Sequence, residues 1–262
     1  MSSPDAIRAI ISKIEDITRT IVNATVLLAQ EIEQTAAGQA ECAPDMFLQS
    51  AVKNYLRRHI KTVLSRTDYC SGAGFASHID STSYWLLEWW YRREGGDEQA
   101  SLELDQATQQ RLDFRTFAWF SQPPGEGKAW IHGPYVDYIC NTAYTLTCAA
   151  PVSVRGVFLG VAAVDILVSR LEQELLACAD APAVVLTNHE GRIIVTTCPR
   201  RASAICWKPI RRRRFSTTAT SGFTRPEPHA ARYGWPALSR RAYSIASFSG
   251  ALERPKGRAS AI

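Results

Sequence analysis

The sequence predicts an α+β fold that combines a long N-terminal helix with an antiparallel sheet, and three observations carry this prediction. Apolar residues recur at helical spacing through residues 4–37, two pairs of β-rich segments are joined by tight turns, and strands do not alternate regularly with helices. Strands that follow each other through short turns form antiparallel sheets, whereas parallel strands need a longer, usually helical, crossover. The order of segments therefore excludes an alternating βαβ enzyme fold.

The first element is a helix with an apolar stripe at three-four spacing, which begins after a cap at Ser3 and ends at Gly38. The stripe consists of Ile7, Ile10 with Ile11, Ile14, Ile17, Ile21, Ala24 and Leu28. It either packs on the helix's own domain or joins two copies in a homodimer, and the sequence leaves both alternatives open. A second helix is predicted over residues 45–65.

Strands are predicted after the two helices. The glycine-rich segment 70–76 is typical of a strand entry, and an aromatic-rich segment follows it. We expect Trp85, Trp89 and Trp90 of that segment in the core or an interface rather than at a ligand. The later elements are a hairpin of residues 143–152 and 157–166, a helix over 167–179, and a hairpin of residues 184–187 and 192–195.

Charge is divided unevenly along the chain. The formal charge is +5, but residues 199–262 hold 14 basic and two acidic side chains, which leaves 16 basic and 23 acidic for the rest. The net charges are thus +12 and −7. The C-terminal segment is poor in aliphatic residues and has no sustained period, so it cannot bury enough apolar area to offset its ordering entropy. We expect a disordered or non-native tail, and a shifted reading frame is one hypothesis for it.

Composition also bounds the compartment and the cofactors. No window of 18 apolar residues indicates a membrane helix, and the N-terminus shows no basic segment leading into an apolar one. Seven cysteines without a Cys-x-x-Cys pair favour reduced thiols, and the histidines lack metal-ligand spacing. We therefore expect a cytoplasmic protein with no membrane partner, no metal and no other cofactor.

Two acidic residues lie near predicted strand ends among apolar residues. They are Asp137, in the segment 130–138, and Asp165, near the end of the second hairpin strand. A buried carboxylate needs hydrogen bonds or a cation, and aromatic faces beside carboxylates suit an ammonium group. The aromatic faces come from Trp119, Trp130 and Tyr135. The alternatives are that Asp165 caps the next helix and that Asp137 is a turn residue.

The middle of the chain resembles a known sensor family. The matching runs are Trp130…Pro134-Tyr135-x-Asp137, Tyr144-Thr-Leu-Thr-x-Ala-x-Pro151-Val152 and Gly160-Val161-x-x-x-Asp165-Ile166. They are similar to the double Cache (PDC-type) domain, a PAS-like sensor that supplies ligand input to bacterial chemoreceptors, histidine kinases and cyclic-dinucleotide enzymes. The similarity spans residues 5–197 and extends to small soluble Cache proteins.

The resemblance implies roles for individual residues. In the amino-acid-binding branch, a Tyr-x-Asp element and a later Asp hold the ligand's amino group, while an Arg-x-Trp-Tyr element holds its carboxylate. Phe117 stands where that Arg is expected, and Arg115 lies two residues earlier. The resulting ligand-binding candidates are Trp119, Trp130, Tyr135, Asp137, Asp165 and Arg115. No catalytic residue is predicted.

We therefore expect a non-enzymatic small-molecule sensor of the Cache type that recognises an amine, an amino acid or another small metabolite. The predicted divisions are the N-terminal helix over 1–38, a PAS-like ligand-binding subdomain over 39–166, the start of an incomplete second PAS-like subdomain over 167–198, and the tail over 199–262. The expected partners are a second copy, bound through the N-terminal helix, and an unknown signalling protein.

Two alternative functions stay open at the level of the sequence. One is a small-molecule enzyme that uses Asp137 and Asp165 as an acid–base pair. The other is a nucleic-acid-binding regulator that acts through the arginine run 211–214, although such runs are more often solvated tails.

Overall fold

The architecture was obtained as a computed structural model, which describes residues 3–39, 43–79, 84–93, 95–99, 113–138, 142–178, 184–188, 191–197 and 243–246. In these residues the helices are α1 (Ser3–Ala37), α2 (Ser50–Arg66), α3 (Ala118–Glu126) and α4 (Val168–Leu176). The strands are β1 (Gly72–Ile79), β2 (Tyr84–Arg93), β3 (Gly96–Gln99), β4 (Trp130–Asp137), β5 (Ala143–Val154), β6 (Val157–Leu167), β7 (Val184–Thr187), β8 (Ile193–Thr196) and β9 (Tyr243–Ala246). Short 3-10 helices span Pro44–Leu48 and Phe114–Thr116.

A six-stranded antiparallel sheet is formed by strands β1 to β6. Its order is β3-β2-β1-β6-β5-β4, and every neighbouring pair is antiparallel. Strands β5 and β6 form the predicted hairpin, whose central turn residues Arg155 and Gly156 have φ values of 52° and 80°. Two successive positive φ angles are typical of the type I′ turn that matches strand twist. The predicted α+β class with an antiparallel sheet is confirmed.

Contacts divide the chain into two compact units. One contains the described residues of 16–167, and the other contains those of 3–15 and 168–246. The second unit has a sheet of order β8-β7-β9, in which β7 and β8 form the predicted hairpin and β9 lies parallel to β7. Strand β9 comes from the basic tail; the rest of that tail, with its arginine run, lies outside the described residues. The domain boundaries proposed from the sequence stay predictions.

The apolar stripe of α1 is buried within the chain itself. The members of the stripe from Ile7 to Leu28 are at most 7% exposed, except Ile11, which is partly exposed. These side chains are therefore already covered by the protein's own residues, as the first of the two sequence alternatives expected. Burial of the stripe supports packing on the helix's own chain, and homodimerisation through the N-terminal helix stays a prediction.

The second helix begins later than its sequence pattern indicated. Gln49 adopts extended dihedral angles, φ −67° and ψ 132°, which separate the 3-10 helix Pro44–Leu48 from α2. On the inner side of α2, the buried carboxylate of Glu88 accepts hydrogen bonds of 3.0 Å from Arg57 Nε and from Trp90 Nε1. This ion pair ties α2 to strand β2.

Within the described part of the chain, none of the helices is both long enough and apolar enough to span a membrane.

Candidate functional site

A cavity of about 430 Å³ lies in the unit of residues 16–167, between strands β2, β4 and β6 and the start of α3. Its volume falls in the range of small-molecule sites, about 300–1,000 Å³. The lining residues are Leu87, Trp89, Thr116, Phe117, Ala118, Trp119, His132, Tyr135, Val136, Asp137, Tyr138 and Asp165. The cavity therefore gathers four of the six residues proposed from the sequence: Trp119, Tyr135, Asp137 and Asp165.

Strand register brings the polar residues of the cavity together. Asp165 of β6 lies opposite Thr147 of β5, and Thr147 lies opposite His132 of β4. Residues directly opposite each other in an antiparallel pair point to the same face of the sheet. The three side chains therefore form one row across β6, β5 and β4.

A β-bulge in β4 adds two further residues to this face. Residues 132 and 135 would normally point to opposite faces, because side chains alternate along a strand. The register shifts between His132 and Tyr135, at Gly133 with φ 128°. A Cβ at Gly133 would lie 2.8 Å from the carbonyl oxygen of Thr145, so glycine is needed there. As a result His132, Tyr135 and Asp137 all line the cavity.

A hydrogen-bond chain links three strands beneath the cavity. Thr147 Oγ1 donates to Asp165 Oδ1 over 2.6 Å and lies 2.6 Å from the hydroxyl oxygen of Tyr135. A threonine hydroxyl carries only one proton. When Thr147 donates its hydrogen bond to Asp165, the Thr147 oxygen must accept the second hydrogen bond from the hydroxyl of Tyr135.

The carboxyl group of Asp165 is strongly perturbed. Its side chain is buried, with the residue 1% exposed, and this burial together with the nearby charge of Asp137 raises its pKa to about 8. The hydrogen bond from Thr147 lowers the pKa in part, and so does the nearby N–H of Trp89, although the buried Trp89 Nε1 forms no complete hydrogen bond within the described residues. A proton and a ligand can thus compete for the same carboxyl group.

Glycines of β1 make the room that this arrangement needs. A Cβ on Gly72 would lie 3.0 Å from Asp165 Oδ2 and 3.1 Å from Trp89 Nε1. A Cβ on Gly74 would overlap the indole ring of Trp89. The segment 70–76 was predicted from the sequence as a strand entry. Its glycines also leave space for the Trp89 ring to pack beside the cavity.

Aromatic rings form the opposite wall. Trp119 is buried, and its ring centroid lies 5.8 Å from that of Trp89, 6.0 Å from that of Phe114 and 6.4 Å from that of Phe117. On the other side, His132 stacks on Tyr135 with centroids 5.5 Å apart. The cavity is thus apolar and aromatic around one polar corner, where, among the described residues, the carboxyl groups of Asp137 and Asp165 lie.

Solved structures of chemotaxis and chemoreceptor proteins align with about three quarters of this chain. A structure described as a methyl-accepting chemotaxis protein X aligns with 76% of this chain and 74% of its own, at 19% identity and a TM-score of 0.56. The sensory domain of the Campylobacter jejuni chemoreceptor Tlp3 aligns with 77% of this chain and 72% of its own, at 15% identity and a TM-score of 0.53. The Tlp3 ligand-binding domain in complex with L-norvaline aligns with 76% and 69%, at 16% identity and a TM-score of 0.52.

The chain has the Cache sensory-domain fold. At these identities the likeness establishes the fold and leaves the ligand to be argued from the cavity. No protein-family model matches the sequence, and no curated protein matches it. The resemblance drawn from the middle of the chain is confirmed at the level of the fold.

Two predicted site residues do not line the Cache-type cavity. Arg115 is held by Asp113, with its Nε 2.8 Å from Oδ1 and its Nη2 2.7 Å from Oδ2. This bidentate pair lies within the 3-10 turn that precedes α3, and Phe117 rather than Arg115 reaches the cavity. Trp130 pairs with Ala149 near the start of β4, beyond the row that contains His132. Neither residue is among those that line the cavity, and their roles in ligand binding stay predictions.

Trp89 and Asp165 differ in position from what the sequence indicated. Trp89 was expected in the core, and it is buried there, but its ring also lines the cavity. Alternation along β2 explains why: Leu87 and Trp89 face the cavity, whereas Glu88 and Trp90 face α2. Asp165 lies inside β6 and accepts its hydrogen bond from Thr147 across the sheet, so the helix-cap alternative is not supported.

Among the described residues, no three His, Cys, Asp or Glu side chains cluster as a metal ion would require.

Proposed function

We propose that the chain is a non-enzymatic sensory domain that binds a small organic cation, an amine with an apolar body, as the input of a signalling system. One observation carries the proposal. Among the twelve residues that line the cavity there is no lysine or arginine, while two buried carboxyl groups, those of Asp137 and Asp165, face it. A cavity with this charge favours a cation and disfavours an anion.

The polar corner of the cavity would bind the charged end of such a ligand, and the aromatic walls would contact its apolar body. An ammonium group placed at the corner would meet Asp137, Asp165 and the ring of Tyr135, through charge-assisted hydrogen bonds and cation–π contact. The body of the ligand would pack on Trp119 and Phe117. Burial of apolar ligand surface on these rings contributes about 25 cal/mol per Å².

An amine without a carboxylate is favoured over an amino acid. The Tlp3 ligand-binding domain has been solved with L-norvaline, whose carboxylate needs a cationic or hydrogen-bonding partner. In this chain Phe117 lines the cavity, and Arg115 forms a bidentate pair with Asp113. A ligand carboxylate here would face two protein carboxyl groups instead.

The enzyme alternative has less support from the cavity. Burial raises the pKa of the Cys70 and Cys148 thiols to about 12, which removes both as nucleophiles near neutral pH. An acid–base pair alone supplies only part of a catalytic site. The nucleic-acid alternative depends on the arginine run 211–214, which lies outside the described residues.

A thermal-shift screen tests the proposal. The panel consists of 2-phenylethylamine, L-phenylalanine and 3-phenylpropionate, which differ only in whether they carry the ammonium group, the carboxylate or both. We expect 2-phenylethylamine to stabilise the wild type by RT ln(1 + [L]/Kd), about 2.7 kcal/mol at a hundredfold excess over Kd. Asp137→Asn should lose this shift, whereas Asp16→Asn, which removes an exposed carboxylate paired with Arg19 on α1, should keep it.

Equal stabilisation of the wild type and Asp137→Asn would overturn the assignment of the cavity. Stabilisation by 3-phenylpropionate alone would overturn the assignment of the ligand's charge.

A further inference from the structure

Two carboxyl groups lie against one cavity and both are buried, Asp137 at 5% exposure and Asp165 at 1%. We propose that the ligand-free cavity holds a proton on Asp165, and that a cationic ligand binds in exchange for this proton, which leaves to the solvent. The inference rests on the proposed function, since it requires that the cavity bind an organic cation. It adds a regulation of that site by pH.

The surroundings of Asp165 contain no fixed positive charge among the described residues. Strand β4 presents Asp137, Tyr135 and His132, and Trp89 of β2 lines the same cavity. Strand β5 presents the uncharged Thr147. Ahead of β1, Cys70 is neutral because burial raises its pKa to about 12.

Arg92, whose charge acts on Cys70, is engaged with other groups. Arg92 acts on the Cys70 thiol by its charge, but its guanidinium donates to the backbone carbonyl of Leu64 and pairs with Asp68 over 3.5 Å. Within the described part of the chain, Asp165 is therefore offset by hydrogen bonds rather than by a cationic side chain.

Electrostatics then sets the direction of the exchange. Burial and the charge of Asp137 both disfavour the ionised form of Asp165 while the cavity is empty. An ammonium group at the corner has the opposite effect, because a nearby positive charge favours the carboxylate. The carboxylic acid gives its proton to the buffer, and the resulting carboxylate pairs with the ligand, so charge is conserved.

The hydrogen-bond chain can follow this change without moving heavy atoms. With Asp165 protonated on Oδ2, Oδ1 still accepts from Thr147, and Thr147 accepts from Tyr135. With Asp165 ionised, the same donors and acceptors are used over the same 2.6 Å separations. The hydrogen bonds across β6, β5 and β4 are therefore compatible with both protonation states of Asp165.

Calorimetric titration of the wild-type protein tests the exchange. The probe is phenyltrimethylammonium, whose charge does not depend on pH, with 2-phenylethylamine in parallel. Titration at pH 7 in phosphate and in Tris, which differ in ionisation enthalpy, measures the protons released. We expect about 0.9 proton per ligand at pH 7 and an affinity that rises about 50-fold from pH 6 to pH 8, as one group with a pKa near 8 requires.

Two variants identify the source of the proton. Asp165→Asn should bind with a release close to zero and a flat pH profile. His132→Gln removes an imidazole that lines the cavity and, whatever it does to the affinity, should keep the number of protons released per ligand bound. If the release disappears in His132→Gln instead, the proton comes from the imidazole and the inference is wrong.

The outcomes separate the two proposals. Binding by the wild type with no proton release and no pH dependence would overturn the exchange and leave the proposed function standing. No binding of either probe between pH 6 and pH 9 would overturn the proposed function, and the exchange with it.

Discussion

Asp165 should lower the stability of the ligand-free protein, and the substitution Asp165→Asn should recover it. The carboxyl group has an ordinary pKa of 3.8, which burial and the charge of Asp137 raise to about 8. The folded state therefore binds a proton that the unfolded state has already lost at intermediate pH. The free energy of unfolding contributed by this group is fully present below about pH 4 and is lost as pH rises towards 8.

The size of the effect follows from the pH range between the pKa of the unfolded state, 3.8, and that of the folded state, about 8. Each pH unit inside it changes the free energy of unfolding by about 1.4 kcal/mol for one proton. Between pH 5 and pH 7 the wild type should therefore lose about 3 kcal/mol that the Asn variant does not lose. Asn keeps a side-chain oxygen that can accept from Thr147, so the hydrogen bond inside the sheet is retained.

Urea denaturation at pH 5, 7 and 8.5 measures the difference. At a urea m-value of about 2–3 kcal/mol per M, 3 kcal/mol shifts the midpoint by on the order of 1 M. The matched control is Asp68→Asn, whose wild-type side chain is 91% exposed and pairs loosely with Arg92. The free energy of unfolding of Asp68→Asn should depend on pH in the same way as that of the wild type.

Parallel pH profiles for the wild type and Asp165→Asn would refute this reasoning. That result would mean that Asp165 has the same affinity for its proton in the folded and unfolded states. A stabilised Asn variant that no longer binds cations would instead show that the residue is kept for binding at the expense of stability.

Three further predictions concern the walls of the cavity and the core. Gly74→Ala should cost about 1–3 kcal/mol, because the added methyl overlaps a buried indole, whereas Gly125→Ala should be neutral or slightly stabilising; thermal denaturation compares them. Thr147→Val should lower the free energy of unfolding by about 1–3 kcal/mol more than Thr147→Ser, since only serine keeps the bridging hydroxyl. Equal losses in the two variants would contradict the hydrogen-bond chain. Iodoacetamide at pH 8 should leave Cys70 and Cys148 unmodified in the native protein and label both after denaturation, as mass spectrometry of peptides would reveal.

Much of the fold could be predicted because its signals are local. The three-four spacing from Ile7 to Leu28 predicts α1, and the turn at Arg155-Gly156 predicts the β5–β6 hairpin. The break at Gln49 could not be predicted, since its extended angles are not a property of glutamine. The sequence also could not decide what covers the stripe of α1, because a helix that packs on its own domain and one that joins a dimer share the same pattern.

The site could be predicted only where strand alternation was regular. Asp137 and Tyr135 are two residues apart and share a face, but His132 joins them only through the bulge at Gly133. Arg115 fits the charge that the ligand's carboxylate would need, yet its reach is set by the bidentate pair with Asp113, which spacing does not reveal. The role of Thr147, which connects Asp165 to Tyr135, depends on the register of β5, which the sequence does not reveal. The cytoplasmic location and the signalling partner stay predictions.

The ratio of two affinities tests most directly the claim that this cavity is built for a cation. Calorimetric titration of the wild type at pH 8 with 2-phenylethylamine and with L-phenylalanine compares two ligands that differ by one carboxylate. We predict that the amine binds at least about tenfold more tightly, because the added carboxylate meets no cation and faces Asp137 and Asp165. Equal or tighter binding of the amino acid would contradict the account.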